Sequence, residues 1–261
     1  MMPRGSDGSA DRMVASPMRA VLLGRDHTAE GTTAVRAVGR CAVGIARGWE
    51  PKPYSYVDPN EDAVAVVDDE HAQLLVVADG HHGHQVSHEA VIAVLELLGS
   101  PPRPADLRLR EVREVVRLIA DRVQPMSSGD APSRTTLVVA LRSARHLQWF
   151  AAGDSALLVV DPQRALQLTT PTRWFFGDAP SVATTRWGVA LGRTDLTLEA
   201  TVIAATDGYT DYLPTPSQPA EAAAAAVRDA TVAGRAAAAL LDQARRGGAG
   251  DNVGVSVSLP W

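Results

Sequence analysis

Hydrophobic positions along this chain form short, continuous runs separated by turn residues. Apolar runs of about four to eight residues, bounded by glycine, proline, asparagine or aspartate, are typical of buried β-strands. We expect the stretch 39–45 to be the first strand. The other predicted strands are 63–67, 74–78, 135–141, 147–152, 156–160 and 253–259.

Longer segments show the spacing of helices. Apolar residues recur every three or four positions over 85–98 and again over 109–123, where the opposite face is charged. Residues 220–246 are dominated by alanine, the strongest helix former, and predict one or two packed helices. Because the strands are joined by short, hairpin-like connections, the order predicts antiparallel sheets with helices packed outside them, an α+β fold.

Composition and charge argue against several classes of protein. The chain is 46% hydrophobic, which is typical of a globular protein with a sizeable core. Its formal net charge is −5 and it has no run of lysine and arginine, so a nucleic-acid partner is not expected. The single cysteine, Cys41, excludes an internal disulfide and fits a reducing compartment.

The first 18 residues are polar and rich in glycine, serine and proline. They lack the apolar centre of a signal peptide, and no apolar stretch approaches the ~20 residues that span a bilayer. We therefore predict a flexible tail over residues 1–18, a single domain over 19–261, a cytoplasmic location and no membrane association.

Acidic residues stand where several predicted strands end. Asp79-Gly80 follows the apolar run 74–78, and Asp207-Gly208 follows another. A carboxylate at the mouth of a buried strand is costly to desolvate unless a cation holds it there. Glycine allows the sharp turn that brings a backbone carbonyl to the same cation. Other acids lie close to the ends of predicted strands: Glu61 and Asp62 before the run 63–67, Asp154 in the turn after 147–152, Asp211 four residues after Asp207, and Asp251 before the last run.

Carboxylate and carbonyl oxygens are hard donors, which suit Mg²⁺ or Mn²⁺ better than zinc. Taken singly, each aspartate could instead be a turn former that hydrogen-bonds its own backbone. A zinc site is a further alternative, because His84 and His88 could share a helix face near His81 and His82. No cysteine or additional histidine nearby completes a zinc ligand set, so the sequence favours the carboxylate site.

Six short motifs occur in a specific order over residues 60–252. They are Asn60-Glu61-Asp62-Ala63, Val77-Ala78-Asp79-Gly80-His81, Ser133-Arg134-Thr135-Thr136, Ala152-Gly153-Asp154-Ser155, Ala205-Thr206-Asp207-Gly208-Tyr209-Thr210-Asp211 and Gly250-Asp251-Asn252. Each alone is a weak signal, since Asp-Gly is an ordinary turn dipeptide. Together they resemble the motifs of the metal-dependent protein phosphatases, the type-2C serine/threonine family, in a bacterial-type, single-domain form.

The resemblance implies a fold and an activity. The implied fold is a four-layer α-β-β-α sandwich, two antiparallel β-sheets flanked by helices, with the metal site at one edge of the sheets. The implied reaction is hydrolysis of phosphoserine or phosphothreonine in a protein substrate, by attack of a water that bridges two Mn²⁺ or Mg²⁺ ions. The enzyme would oppose a serine/threonine kinase. The family also has a variable flap near residues 169–195, for which an irregular packed excursion is the alternative.

The resemblance also implies roles for individual residues. Asp79 would bridge two ions, with Glu61 and the Gly80 carbonyl on one ion and Asp207 and Asp251 on the other. The remaining implied roles are Asp154 and Asp211 for a third, weaker ion or its waters, Asp62 for orienting a metal-bound water, His81 for protonating the leaving alcohol, and Asn252 for bracing the turn of Asp251.

Two positions depart from the family pattern. Val57 stands where the family usually has a phosphate-gripping arginine, and Arg134 replaces the glycine of a Ser-Gly-Thr-Thr turn. We therefore expect another cation to bind the substrate phosphate, with Arg134 first, because a guanidinium binds phosphate through two hydrogen bonds. Lys52 and Arg47 are the other candidates. The alternative is that Arg134 is only a surface residue in a distorted turn.

Those departures leave two other functions open. The chain could be a pseudophosphatase that binds phosphorylated partners without hydrolysing them, or a metal-dependent phosphatase of a small phosphorylated metabolite. Retention of an acid at every aligned metal position argues against the first.

Overall fold

Two antiparallel six-stranded sheets form the centre of the protein. The computed structural model describes residues 16–51, 57–127, 132–178, 188–213 and 218–261. The first sheet contains, in spatial order, β1 (Met18–Leu23), β4 (Ala63–Asp68), β5 (Gln73–Ala78), β8 (Leu137–Arg142), β9 (His146–Ala152) and β12 (Ala190–Asp195). The second contains β11 (Ala165–Gln167), β10 (Ala156–Val160), β13 (Thr201–Ala205), β14 (Val253–Ser258), β3 (Cys41–Ala46) and β2 (Thr33–Val38). A small ribbon pairs β6 (Gly80–His81) with β7 (Arg134–Thr135).

Helices cover the outer face of each sheet. The α-helices in the described residues are α1 (Gln85–Leu98), α2 (Leu109–Val123), α3 (Asp207–Thr210), α4 (Pro219–Val227) and α5 (Ala233–Arg246), and short 3₁₀ turns span Gly24–Asp26 and Gln124–Met126. Helices α1 and α2 pack on the first sheet, and α4 and α5 pack on the second. The predicted four-layer sandwich is therefore confirmed.

Three hydrophobic cores, formed by the described residues, separate the four layers of the sandwich. One lies under α1 and α2, one lies under α4 and α5, and the third fills the space between the sheets. The central strands β3, β4, β5, β8 and β14 are buried along their whole length. Because both faces of these strands are covered, their sequences are continuous apolar runs rather than alternating ones.

The prediction that 39–45 is the first strand was wrong, because β1 and β2 precede β3. Strand β2 is an edge strand whose residues are mostly exposed, so it lacks the apolar run that identifies a buried strand. The edge strand β12 was also not predicted, because its sequence shows no strand pattern and only its pairing with β9 makes it a strand.

Two predictions concern segments that are described only in part. Residues 1–15 of the predicted tail lie outside the described residues, whereas Met18 already pairs with Asp68 in the first sheet. In the region 169–195, residues 179–187 lie outside the described residues. The flanking parts are packed: Phe176 is fully buried, and β12 belongs to the sheet.

Candidate metal centre

Three aspartates from different elements meet at one edge of the sandwich. One carboxylate oxygen from each of Asp79, Asp154 and Asp207 lies within 4.8 Å of the other two. Asp79 follows β5 of the first sheet, and Asp207 follows β13 of the second. Asp154 occupies the turn between β9 and β10, where the chain passes from one sheet to the other. The fold thus brings together acids that are far apart in sequence.

Two further predicted acids contribute to the same negative field. Burial, followed by the charges of Asp251, Asp154 and Asp211, raises the pKa of the Asp207 carboxyl to about 7, while a hydrogen bond with Asp79 opposes the rise. The pKa of Asp211 is raised as well, by burial and then by the charge of Asp154. Such crowding of like charges is unfavourable unless a cation compensates it.

The chemistry of these side chains fits a hard divalent cation. Oδ1 of Asp154 and Oδ1 of Asp207 are buried and accept no hydrogen bond from any residue that the structure describes. A buried carboxylate oxygen without a donor loses its hydration without compensation. A cation between the carboxylates would supply that compensation, and an all-oxygen donor set suits Mg²⁺ or Mn²⁺.

Hydroxyl groups fix the backbone that carries Asp79. Thr136 Oγ1 accepts the Asp79 N–H at 3.0 Å, and the Thr136 N–H donates to the Asp79 carbonyl at 3.0 Å. Thr135 Oγ1 donates to the same carbonyl at 2.7 Å. Thr136 Oγ1 also lies 2.6 Å from Oγ of Ser155, which follows Asp154. Thr136 therefore connects two of the acid-bearing turns.

The Glu61 loop lies directly against the turn at Gly80. A Cβ on Gly80 would approach the Glu61 carbonyl to 2.5 Å, so only glycine fits there. Glu61 Oε1 accepts the backbone N–H groups of Val57, Asp58 and Gly83, each at 3.0 Å. Glu61 is not among the acids grouped within 4.8 Å, and the roles of Glu61 and the Gly80 carbonyl as ligands stay predictions.

Asp62 links the first sheet to the turn that carries Asp207. Its carboxylate is fully buried, and Oδ2 accepts the Thr206 hydroxyl at 2.9 Å. Thr206 Oγ1 in turn accepts the N–H of Gly254 at 2.9 Å. Asp62 thus fixes the residue immediately before Asp207, while its predicted role towards a water stays a prediction.

Asn252 connects the Asp251 turn to the Glu61 loop. Its backbone N–H donates to Asp251 Oδ1 at 2.7 Å, and its predicted bracing role stays a prediction. Its side chain also donates to the carbonyls of Arg47 and Pro59 and accepts the N–H of Glu61 at 3.0 Å. One amide therefore joins the start of β14 to the Glu61 loop.

The histidines near α1 do not assemble a zinc site. His84 Nδ1 lies 2.6 Å from Asp58 Oδ2, and the His84 and His88 rings are in tilted contact, with centroids 4.6 Å apart. Burial, followed by the charge of His84, lowers the pKa of His88 to about 4. Across the described ranges, the three aspartates are the only group of histidine, cysteine or acidic donors close enough to share a metal ion.

His81 and Arg134 lie opposite each other in the β6–β7 ribbon. His81 Nε2 is 3.8 Å from Asp79 Oδ2, so the imidazole borders the aspartate cluster. The Arg134 guanidinium lies 4.7 Å from the centroid of the Phe175 ring and 3.7 Å from Asp178 Oδ1. The ribbon thus places Arg134 beside His81.

Arg47 and Lys52 are the other two candidates for binding the substrate phosphate. Arg47 Nη1 donates to the carbonyl of Thr28 at 3.0 Å. Lys52 lies outside the described residues. Their predicted roles in phosphate binding stay predictions.

Comparison with known families decides the classification. The sequence model of the family described as protein phosphatase 2C matches residues 55–243, most of the chain. This chain belongs to the protein phosphatase 2C family. It is therefore a phosphoprotein phosphatase, a hydrolase of the metal-dependent class.

Solved structures show that the fold of this phosphatase is shared with bacterial enzymes. A bacterial serine phosphatase bearing an arginine-to-alanine mutation superposes with a TM-score of 0.68 at 17% identity, over 87% of this chain and 100% of that one. MsPP, the PPM Ser-Thr phosphatase of Mycobacterium smegmatis in complex with cacodylate, gives 0.66 at 19% identity, over 87% and 100%. The catalytic domain of the serine threonine protein phosphatase PstP, in complex with two manganese ions, gives 0.63 at 22% identity, over 87% and 99%.

Two further findings concern the phosphatase as a whole. A comparison with curated protein sequences found no match. Among the described residues, no helix combines the length and the apolar character needed to cross a membrane.

Proposed function

We propose that this phosphatase hydrolyses phosphoserine and phosphothreonine in protein substrates, using two divalent cations held at the aspartate cluster. The observation that carries the proposal is the convergence of Asp79, Asp154 and Asp207 within 4.8 Å, where Oδ1 of Asp154 and Oδ1 of Asp207 are buried without a donor among the described residues. When bound, two such cations lower the pKa of a water molecule and offset the charge of the phosphoryl oxygens.

Some residues of the chain are proposed to bind the cations, and others hold the turns that carry the ligands. The proposed ligands are Asp79, Asp207, Asp251, Glu61 and the Gly80 carbonyl, with Asp154 and Asp211 for a third, weaker ion. Ser155 and Thr136 hold two of the acid-bearing turns in place. These roles extend the family resemblance to named residues of this chain.

His81 is the proposed proton donor to the leaving alcohol. Its ring borders the cluster, with Nε2 3.8 Å from Asp79 Oδ2, and the ribbon pairing fixes its backbone. A protonated imidazole is a general acid that can donate to a departing alcohol oxygen. The serine or threonine oxygen of the substrate would receive that proton as its bond to phosphorus breaks.

Metal-dependent turnover is the direct test of this function. We expect the protein to hydrolyse p-nitrophenyl phosphate in Mn²⁺ or Mg²⁺ and to lose the activity in EDTA. Phosphoserine and phosphothreonine peptides should give a higher kcat/KM than small phosphate esters, because protein substrates make additional contacts around the site. Absence of turnover with metal bound would instead favour the phospho-partner binding module, and a preference for small esters would favour the metabolite phosphatase.

Arg134 is the proposed contact to the substrate phosphate. We expect Arg134→Ala to raise KM for a phosphopeptide roughly tenfold with a smaller effect on kcat, because a charge-assisted hydrogen bond to the bound phosphate is lost. Arg164→Ala is a matched control, since Arg164 is similarly exposed (41% against 40%) and also lies beside an aspartate, but on another part of the surface. An unchanged KM in the Arg134 variant would leave Arg134 as a surface residue only.

A further inference from the structure

A short turn packs over the ribbon that carries His81 and Arg134. Phe176 is fully buried, and its backbone exchanges two hydrogen bonds of 2.9 Å with Thr135. Gly177 has a φ of +98°, and a Cβ there would lie 2.8 Å from the Ser133 carbonyl. Only glycine allows this close approach, and the two hydrogen bonds hold the turn around Phe176 against the ribbon.

The docked turn presents Phe175 to both functional side chains. The Phe175 ring lies under the Arg134 guanidinium at 4.7 Å, and meets the His81 ring edge-on with centroids 5.2 Å apart. The Phe175 N–H donates to Asp178 Oδ2 at 2.9 Å, while the other oxygen of the same carboxylate faces Arg134 at 3.7 Å. Phe175 and Asp178 therefore contact Arg134 from two directions.

These contacts would restrict the rotamers of the Arg134 side chain. An exposed arginine loses considerable rotamer entropy when it binds a ligand, and an aromatic ring under the guanidinium plane removes part of that cost in advance. The contact to Asp178 is longer than a hydrogen bond and both side chains are partly exposed, at 40% and 29%. A phosphate dianion could replace such a loose partner, whereas the ring would stay in place.

We propose that Phe175 is a positioning residue that aligns Arg134 on the phosphate group of the substrate. The inference rests on the proposed function, and adds a specificity element that lies in sequence about 40 residues after the arginine it directs. It assigns the Phe175–Asp178 turn to recognition of phosphate monoesters.

KM and kcat of Phe175 variants distinguish the contact of Phe175 with Arg134 from its contact with His81. Phe175→Leu should raise KM for a phosphopeptide about threefold with kcat nearly unchanged, the size expected from losing a partly exposed cation–π contact. Phe175→Tyr should restore the wild-type KM, because the ring is retained. In the double variant with Arg134→Ala, removing the ring should have no further effect on KM, since its partner is gone. Additive KM effects, or a loss confined to kcat, would overturn the proposal.

A binding measurement and a distant control complete the design. Calorimetry of the Mn²⁺-loaded protein with inorganic phosphate should show affinity weakened about threefold in Phe175→Leu and restored in Phe175→Tyr. Trp261→Leu, which removes the ring beneath Arg40 at 4.1 Å, should leave phosphate affinity unchanged. A lowered urea midpoint of Phe175→Leu together with unchanged phosphate affinity would show that the ring is only structural, and would overturn the proposal.

Failure of the proposed function and failure of the positioning role of Phe175 give different results. If the wild-type protein shows no metal-dependent turnover, the proposed function fails, and calorimetry with phosphate still decides the role of Phe175. If turnover is present and Arg134→Ala raises KM while Phe175→Leu does not, the positioning role alone fails.

Discussion

Asp79→Asn is expected to lower kcat of Mn²⁺-dependent hydrolysis by roughly a thousandfold, since metal ions contribute several kcal/mol to stabilising the transition state. Asp79 is 5% exposed, and Thr135 and Thr136 fix its backbone at the edge of the cluster. A neutral amide in this position removes one anionic donor from the centre of the cluster. Steady-state kinetics with p-nitrophenyl phosphate measure the loss of kcat, and calorimetry with Mn²⁺ measures the loss of metal affinity.

An equally buried aspartate at the other end of the same sheet provides the control. Asp68 is 7% exposed and bonds Gln73 and the Arg40 backbone, where β4 ends. Asp68→Asn should affect the unfolding midpoint but leave Mn²⁺ affinity and kcat close to the wild-type values. Comparable activity losses in the Asp68 and Asp79 variants would show that both act through stability, and the metal assignment of Asp79 would then be wrong.

The second large effect is a pH-dependent stability of the metal-free protein. The folded-state pKa of Asp207 is raised to about 7 by burial and by its acidic neighbours, above the value near 4 of an unfolded chain. Between these two pH values the folded state binds more protons, so its stability falls as the pH rises from about 4 to above 7. In EDTA we expect the Tm to fall by roughly 5–10 °C over this range.

Metal binding should remove the loss of stability at high pH, because a cation replaces the proton as the partner of the Asp207 carboxylate. The stabilisation produced by Mn²⁺ should therefore increase from pH 5 to pH 8. Asp207→Asn cannot ionise, and it should flatten the Tm profile measured in EDTA by differential scanning fluorimetry. A slope that is the same in the variant and the wild type would assign the pH dependence to other groups.

The sequence predicts the buried parts of this fold best. Strands β4 and β5 and helices α1 and α2 lie within a residue of their predicted bounds, because covered strands and one-sided helices leave strong apolar patterns. Strand β2 leaves no such pattern, since most of its side chains are exposed at a sheet edge.

The order of the motifs identifies the acids of the site but not the groups that support them. Thr136 and Thr206 stand inside quoted motifs, yet their hydrogen bonds to Asp79 and Asp62 depend on contacts across 57 and 144 residues. The contact between Arg134 and Phe175 joins two segments with no local pattern in common. Such pairings are created by the assembled sheets, so a single sequence does not reveal them.

The position of β14 in its sheet bears on synthesis of the protein. This strand lies between β13 and β3, and it follows directly after Asp251 and Asn252. On the ribosome, the second sheet stays split until β14 has emerged and inserted, because its two neighbours cannot pair through the gap. The acid-bearing turn at Asp251 is therefore among the last parts of the cluster to reach its folded position during synthesis.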